Sequence, residues 1–194
     1  MRKLILLCGF LSIISCNKKI QNREFFIEEF GWEITIPDEF EYMSKKEIQD
    51  SRNLGIDAIE DELGEDIIDQ VTVLFWIKNG QYNSLEANYQ PYDERIDGNY
   101  DETNDDINEV SIMTLKSKIP SVQIDTLSSN TVIDNIKFSK FYMKLTYPNG
   151  LVLHSHSYSH LFDKRDFTVS ISYVNEEIGN QMLKSFREST FKTD

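Results

Sequence analysis

Cysteine is almost absent from this chain. Its 194 residues hold two, Cys8 and Cys16, both within the first sixteen positions. Beyond Cys16 there is no thiol, which excludes disulfides, thiol nucleophiles and thiolate metal sites there. Glycine is scarce, at 8 residues, and no glycine-rich phosphate loop occurs. Neither His-Glu-x-x-His nor Gly-x-Ser-x-Gly is present. Positive charge is in short supply: 20 Lys and Arg stand against 33 Asp and Glu, for a net charge of −13. Just beyond Cys16, only Lys18, Lys19 and Arg23 cluster. That argues against a nucleic-acid partner, because phosphate binding needs grouped basic residues. The one long apolar run lies near the N-terminus and is about a dozen residues, short of the ~20 that a membrane-spanning helix needs.

That run carries the most informative signal in the sequence. Arg2 and Lys3 precede it, and it ends in Ile13-Ile14-Ser15-Cys16. Basic residues, an apolar stretch and a small residue at the cut make a secretory signal. Ending in cysteine, it resembles the lipobox of bacterial lipoproteins. Residues 1–15 are then a signal peptide, and Cys16 becomes the N-terminus and carries acyl chains such as palmitate. Residues 16–23 form a short tether, and 24–194 form one globular domain on the membrane. Loss of Arg2 and Lys3 moves the net charge from −13 to about −15. About 179 residues remain, enough to bury a core without disulfides.

The pattern along the domain is α+β, mainly antiparallel strands with helices packed on the faces of the sheet. Phe25 to Pro37 reads as two short strands turning near Gly31, with Pro37 ending the pairing. Ser44-Lys45-Lys46-Glu47 matches a capping box and starts a helix towards Leu63, with a break expected at Leu54-Gly55. Val71 to Ile77 is apolar on both alternating faces, as suits a central strand. Leu85 to Tyr89 returns beside it. Residues 93–106 read as an acidic loop, followed by a helix from about Asp105 to Lys118. Three strands follow at Lys137–Tyr147, Leu151–Phe162 and Phe167–Tyr173. Asn175 caps a final helix to about Glu188.

All three histidines lie in one stretch, His154-Ser155-His156-Ser157-Tyr158-Ser159-His160. Strand alternation puts His154, His156, Tyr158 and His160 on one face and the serines on the other. His-x-His on a strand is a workable metal-ligand geometry. Register favours a different use. Pairing Phe162 with Phe167 sets Tyr158 opposite Ile171 and His160 opposite Val169, so the histidine face carries Phe167, Val169, Ile171 and Tyr173. A two-residue turn at Asn149-Gly150 adds Leu145, Met143 and Phe141 to that face and sends Lys140, Tyr142, Lys144 and Thr146 to the serine face. A three-residue turn at Pro148-Asn149-Gly150 would reverse this. On an apolar face beneath a helix, the histidines are structural and hydrogen-bonded. Neither a catalytic, a cofactor nor a metal residue is assigned. The acidic residues Asp97-Gly98-Asn99-Tyr100-Asp101 lack the ligand spacing of a calcium loop and read as solvated.

The order of elements is strand pair, helix, strand pair, helix, several strands, helix. Gly31-Trp32-Glu33-Ile34-Thr35-Ile36-Pro37-Asp38-Glu39-Phe40 is similar to the "strand, Pro, x, x, Phe" opening of one fold family. Asp166 to Tyr173, then Asn175-Glu176-Glu177 and Phe186, is similar to its close of strand, acidic turn and helix. On these residues, and over most of 25–192, the chain resembles the PsbP-like fold. That fold occurs in the extrinsic PsbP protein of photosystem II, the Ran-release protein Mog and bacterial DcrB lipoproteins. The resemblance implies a non-catalytic accessory or binding module and carries over no site residue. The expectation is a non-enzymatic, lipid-anchored protein of the bacterial cell envelope, on its periplasmic or surface side, with a protein partner. The alternative is a small envelope enzyme or metal-binding protein using His154, His156 and His160.

Overall fold

The computed structural model describes residues 22–192. The expected signal peptide 1–15, Cys16 and most of the expected tether lie outside the described residues. No described helix is long and apolar enough to cross a membrane.

Two strands open the domain, β1 (Asn22–Ile27) and β2 (Trp32–Pro37), paired antiparallel from Asn22↔Pro37 to Ile27↔Trp32. They turn through a short 3-10 segment, Glu28–Phe30, and Gly31. Gly31 sits at φ 56, and a Cβ there would lie 2.4 Å from the Lys192 carbonyl oxygen, so both backbone angle and space require glycine. The two-residue strand β10 (Thr190–Phe191) pairs on the other side of β2. Trp32, Ile34 and Ile36 are buried, while Glu33 and Thr35 point outwards.

The larger sheet has seven antiparallel strands in the order β3-β4-β5-β9-β8-β7-β6. These are β3 (Glu41–Tyr42), β4 (Thr72–Lys78), β5 (Ser84–Pro91), β6 (Gln123–Ile133), β7 (Ile136–Thr146), β8 (Val152–Phe162) and β9 (Arg165–Tyr173). One face presents Phe75, Ile77, Leu85, Ala87, Val169 and Ile171, all buried. The small sheet and helix α4 (Glu176–Arg187) cover it. Trp32, fully buried, stacks on Phe75 at 5.7 Å and meets Phe167 edge-on at 5.2 Å. Its indole Nε1 donates to Ser189 Oγ at 2.8 Å. Burial of this one side chain is worth about 3–5 kcal/mol against alanine.

The other face carries Glu86, Asn88, Asp166, Thr168, Ser170 and Ser172 by alternation. Helices α1 (Lys45–Leu63) and α3 (Tyr100–Lys118) lie on this side and touch each other, with the short α2 (Glu94–Asp97) leading into α3. The Ser44 capping box forms as expected, with Ser44 N–H donating to Glu47 at 2.8 Å. The break at Leu54-Gly55 does not occur. A mid-helix glycine costs only about 1 kcal/mol relative to alanine, and Gly55 faces open space.

Four further expectations are corrected. The acidic stretch is not a loop up to Asp105. Asn99 accepts from Glu102 N–H and caps a helix that begins at Tyr100, where Asp101 and Glu102 favour the positive end of the helix dipole. Residues 123–133, unassigned by pattern, form β6. It joins β7 through Asp134-Asn135, both at positive φ (46° and 65°), the backbone of a two-residue hairpin turn. The turn between β8 and β9 is two residues, Asp163-Lys164, so Phe162 pairs with Arg165. Tyr158 then faces Val169 and His160 faces Phe167, a shift of two that keeps the faces.

The fourth correction changes the site. Between β7 and β8 the tip is Pro148-Asn149-Gly150, closed by Tyr147 N–H to Leu151 O and Gly150 N–H to Tyr147 O, each 2.9 Å. Thr146 pairs with Val152. One added turn residue flips every β7 side chain. Lys140, Tyr142 and Lys144 therefore join the histidine face, and Phe141, Met143 and Leu145 join the serine face.

Candidate functional site

Strand β8 places His154, His156, Tyr158 and His160 on one face, as alternation requires. The flip of β7 brings Tyr142 opposite His156, and β9 brings Tyr173 opposite His154. The result is a compact aromatic group. His154 stacks on Tyr173 at 5.0 Å, and Tyr142 lies 4.7 Å from His156, ring centre to ring centre. Gly179 of α4 lies directly on the Tyr173 ring.

The polar atoms of this group bond within its own wall. His154 Nδ1 and Tyr142 Oη are 2.8 Å apart, and Glu176 Oε1 lies 3.3 Å from His154 Nε2. His156 is 8% exposed, with Nε2 3.3 Å from Tyr173 Oη. Its Nδ1 is buried without a hydrogen-bond partner among the described residues. Burial, then the nearby charge of Lys140, pushes the His156 imidazole down to about 4. Burial also raises the Tyr158 phenol to about 12.

His160 stands apart. Its Nδ1 donates to the Lys137 carbonyl at 2.9 Å, and its ring packs on Phe162 at 4.5 Å. Burial lowers its imidazole below the ordinary range, partly offset by that hydrogen bond. The three histidines thus divide between two environments, separated by Tyr158. Among the described residues no three His, Cys, Asp or Glu side chains are grouped to hold a metal ion. The serines opposite pair with their own kind: Ser159 with Thr168 at 3.0 Å, and Ser172 with Ser155 at 3.3 Å. Neither hydroxyl has a histidine base within reach, so serine–histidine nucleophilic chemistry has no geometry here.

A second concavity lies on the opposite face and was not legible in the sequence. Helix α3 stands off from β6, β7 and β8 and leaves a polar cleft of about 260 Å³. Asp101, Asn104 and Asp105 line it from the helix, and Ser128, Ser139 and Ser157 from the sheet. Two features hide it from sequence: α3 begins five residues before its expected start, and β6 lacks the apolar alternation of a strand. Alternating small polar residues in Ser155, Ser157 and Ser159 were the one available signal. Next to the cleft, Asp166 is buried and accepts from Tyr100 Oη at 2.7 Å and Gln90 Nε2 at 3.1 Å. Desolvation holds its carboxyl above the usual range. Two other carboxylates of the acidic stretch are satisfied locally. Asp93 binds the Arg95 guanidinium at 2.5 Å and Lys164 at 3.2 Å, and Asp97 caps the Asp93 N–H at 2.7 Å.

No family model matches the sequence, and no curated protein matches it. Solved structures do. The solution structure of cyanobacterial PsbP (CyanoP) from Synechocystis sp. PCC 6803 is similar with a TM-score of 0.56 at 8% identity, covering 97% of this chain and 99% of that chain. The crystal structure of the Saccharomyces cerevisiae Ran-binding protein Mog1p gives a TM-score of 0.43 at 7% identity, covering 88% of this chain and 95% of that one. The likeness to CyanoP extends over nearly the whole length of both chains. The fold is PsbP-like, as the opening and closing segments of the sequence suggested.

Proposed function

We propose that this protein is a membrane-tethered, non-enzymatic accessory or binding lipoprotein of the bacterial cell envelope. Cleavage before Cys16 exposes a cysteine that carries lipid, and the domain, whose first strand begins at Asn22, sits close to the membrane on the tether 16–21. Its task is to bind or support an envelope protein. The observation that carries the binding reading is how the histidine face is used. The imidazoles of His154, His156 and His160 hydrogen-bond to Tyr142, Tyr173 and the Lys137 carbonyl, inside the wall they belong to. Such bonds hold strands together rather than present a reacting group. The PsbP-like fold supports the same reading at the level of fold only.

Detergent phase partitioning of the full chain and of Cys16→Ser tests the tether. Wild type enters the detergent phase and the variant stays aqueous; equal aqueous partitioning sinks the lipoprotein reading. Cross-linking in intact envelopes tests the binding role, and a chain that forms no cross-link to any envelope protein contradicts it.

A further inference from the structure

Strand β6 ends the seven-stranded sheet. It pairs with β7 through all eleven residues without a bulge, from Gln123↔Thr146 to Ile133↔Ile136. No described strand pairs with its other side. Natural sheets protect such edges with short strands, lysine, proline or bulges, because unpaired N–H and C=O groups invite another strand. The remaining edges follow that rule: β3 and β10 have two residues each, and β1 carries Arg23 and Glu24. β6 does not. Its sequence Gln-Ile-Asp-Thr-Leu-Ser-Ser-Asn-Thr-Val-Ile has one charge, no lysine and no proline. Leu127 and Val132 on it are 61% and 67% exposed.

The two sides of this edge differ in character. Ser128 pairs with Phe141 and Asn130 with Ser139, which places them on the cleft side, beneath α3. Asp101 and Asp105 line that cleft, and neither has a cation within ion-pair distance among the described residues. Glu102, Asp106 and Glu109 add charge on the same helix. Lys137 and Lys140 also line the cleft, but the Lys140 ammonium lies over the Tyr158 ring on the opposite face. The wall remains net negative. Leu127, opposite Tyr142, lies on the other side of the sheet with Asp125, Ser129 and Thr131, whereas Val132, opposite Lys137, lies on the cleft side.

The geometry points to β6 as a docking edge that takes an extended segment of a basic partner protein as an eighth strand. Main-chain hydrogen bonds hold the added strand, and its alternate side chains select it. Those on the cleft side are Lys or Arg, facing Asp101 and Asp105. Those on the other side are apolar, against Leu127. A second copy of this chain is the less suitable occupant, because pairing β6 with itself brings two acidic α3 helices together on molecules of net charge −13. This inference rests on the binding role proposed above and names its surface.

The test uses the full chain in detergent and three fluorescent nine-residue peptides: alternating Lys-Val, alternating Glu-Val, and the Lys-Val peptide N-methylated at every second residue. The Lys-Val peptide binds and slows amide exchange across 123–133. The Glu-Val peptide binds at least roughly tenfold more weakly, and Asp101→Asn with Asp105→Asn weakens the Lys-Val peptide by roughly tenfold while leaving the melting temperature within a few degrees. The N-methylated peptide, which cannot donate along one edge, does not bind. Equal binding of the lysine and glutamate peptides, full binding of the N-methylated one, or unchanged exchange across β6 overturns strand addition. So does a stable dimer through β6 in sedimentation. An envelope partner cross-linked to another face, with β6 still exchanging freely, overturns this inference and leaves the binding role standing. Loss of every cross-link removes the binding role itself.

Discussion

Tyr100 donates its phenolic hydrogen to Oδ1 of Asp166 at 2.7 Å, joining the first residue of α3 to the buried side of β9. The bond crosses 66 residues of chain. It fixes where α3 starts and so sets the wall of the polar cleft. Burial raises both groups: the Asp166 carboxyl is pushed up by desolvation, and the Tyr100 phenol by desolvation and by the Asp166 charge.

Tyr100→Phe removes a donor and leaves the Asp166 carboxylate with Gln90 alone. The expected loss is about 1.5–3 kcal/mol at pH 7, the usual range for a hydrogen bond to a charged group. The raised Asp166 value means that its contribution is greatest in acid and is lost as pH rises through its folded-state value. The variant raises that value further, so its penalty is larger at pH 7 than near pH 4. Urea unfolding at both pH values measures this; an equal penalty at each would refute the account.

Two glycine substitutions have opposite signs. Helix glycine to alanine ordinarily gains up to about 1 kcal/mol, and Gly55→Ala, with nothing within 4 Å of the new methyl, follows that rule. At Gly179 the new Cβ lies 2.4 Å from the Tyr173 ring. Gly179→Ala therefore destabilises by about 1–3 kcal/mol through overpacking. It also shifts the near-ultraviolet signal of the tyrosine group. Denaturant midpoints of the two variants moving in the same direction would contradict this packing.

Acid weakens the fold through His156. Its folded-state value of about 4 lies below the ordinary 6.5, so the unfolded chain takes the proton first. The stability this neutral imidazole supplies is complete above pH 6.5 and is lost as pH falls towards 4, at no more than about 1.4 kcal/mol per pH unit. His160 acts in the same direction. His156→Gln cannot ionise and flattens the profile between pH 6.5 and 4. A variant profile as steep as that of wild type removes His156 as the cause.

The purified chain holds no stoichiometric zinc, copper or nickel. His154 and His156 share one group and His160 another, so three imidazoles do not meet. Elemental analysis of metal-replete protein checks this. One tightly held metal per chain, lost in His154→Ala, would restore the histidine-based alternative.

Much of the fold was legible because its causes are local. Alternation in β8 and β9 sorts side chains whatever the partner strand is. Ser44, Asn175 and Gly31 mark a cap, a cap and a turn through their own hydrogen bonds and backbone angles. Even the wrong pairing of β8 with β9 preserved the faces, since it slipped by two residues.

What sequence by itself determined is therefore the α+β class, the types of most of its elements and the face of β8 that carries the histidines: properties set by neighbours along the chain. Tertiary structure decided the rest. Tyr142 rather than Met143 stands beside the histidines because one extra residue at Pro148-Asn149-Gly150 reverses β7, and a turn's length is settled by the strands it must join. β6, poor in apolar alternation, is a strand because β7 offers it eleven partners. The cleft exists because Tyr100 reaches Asp166 and holds α3 at its own distance from the sheet. Spaces between elements follow from how they are anchored, and such anchors join residues that no local pattern connects.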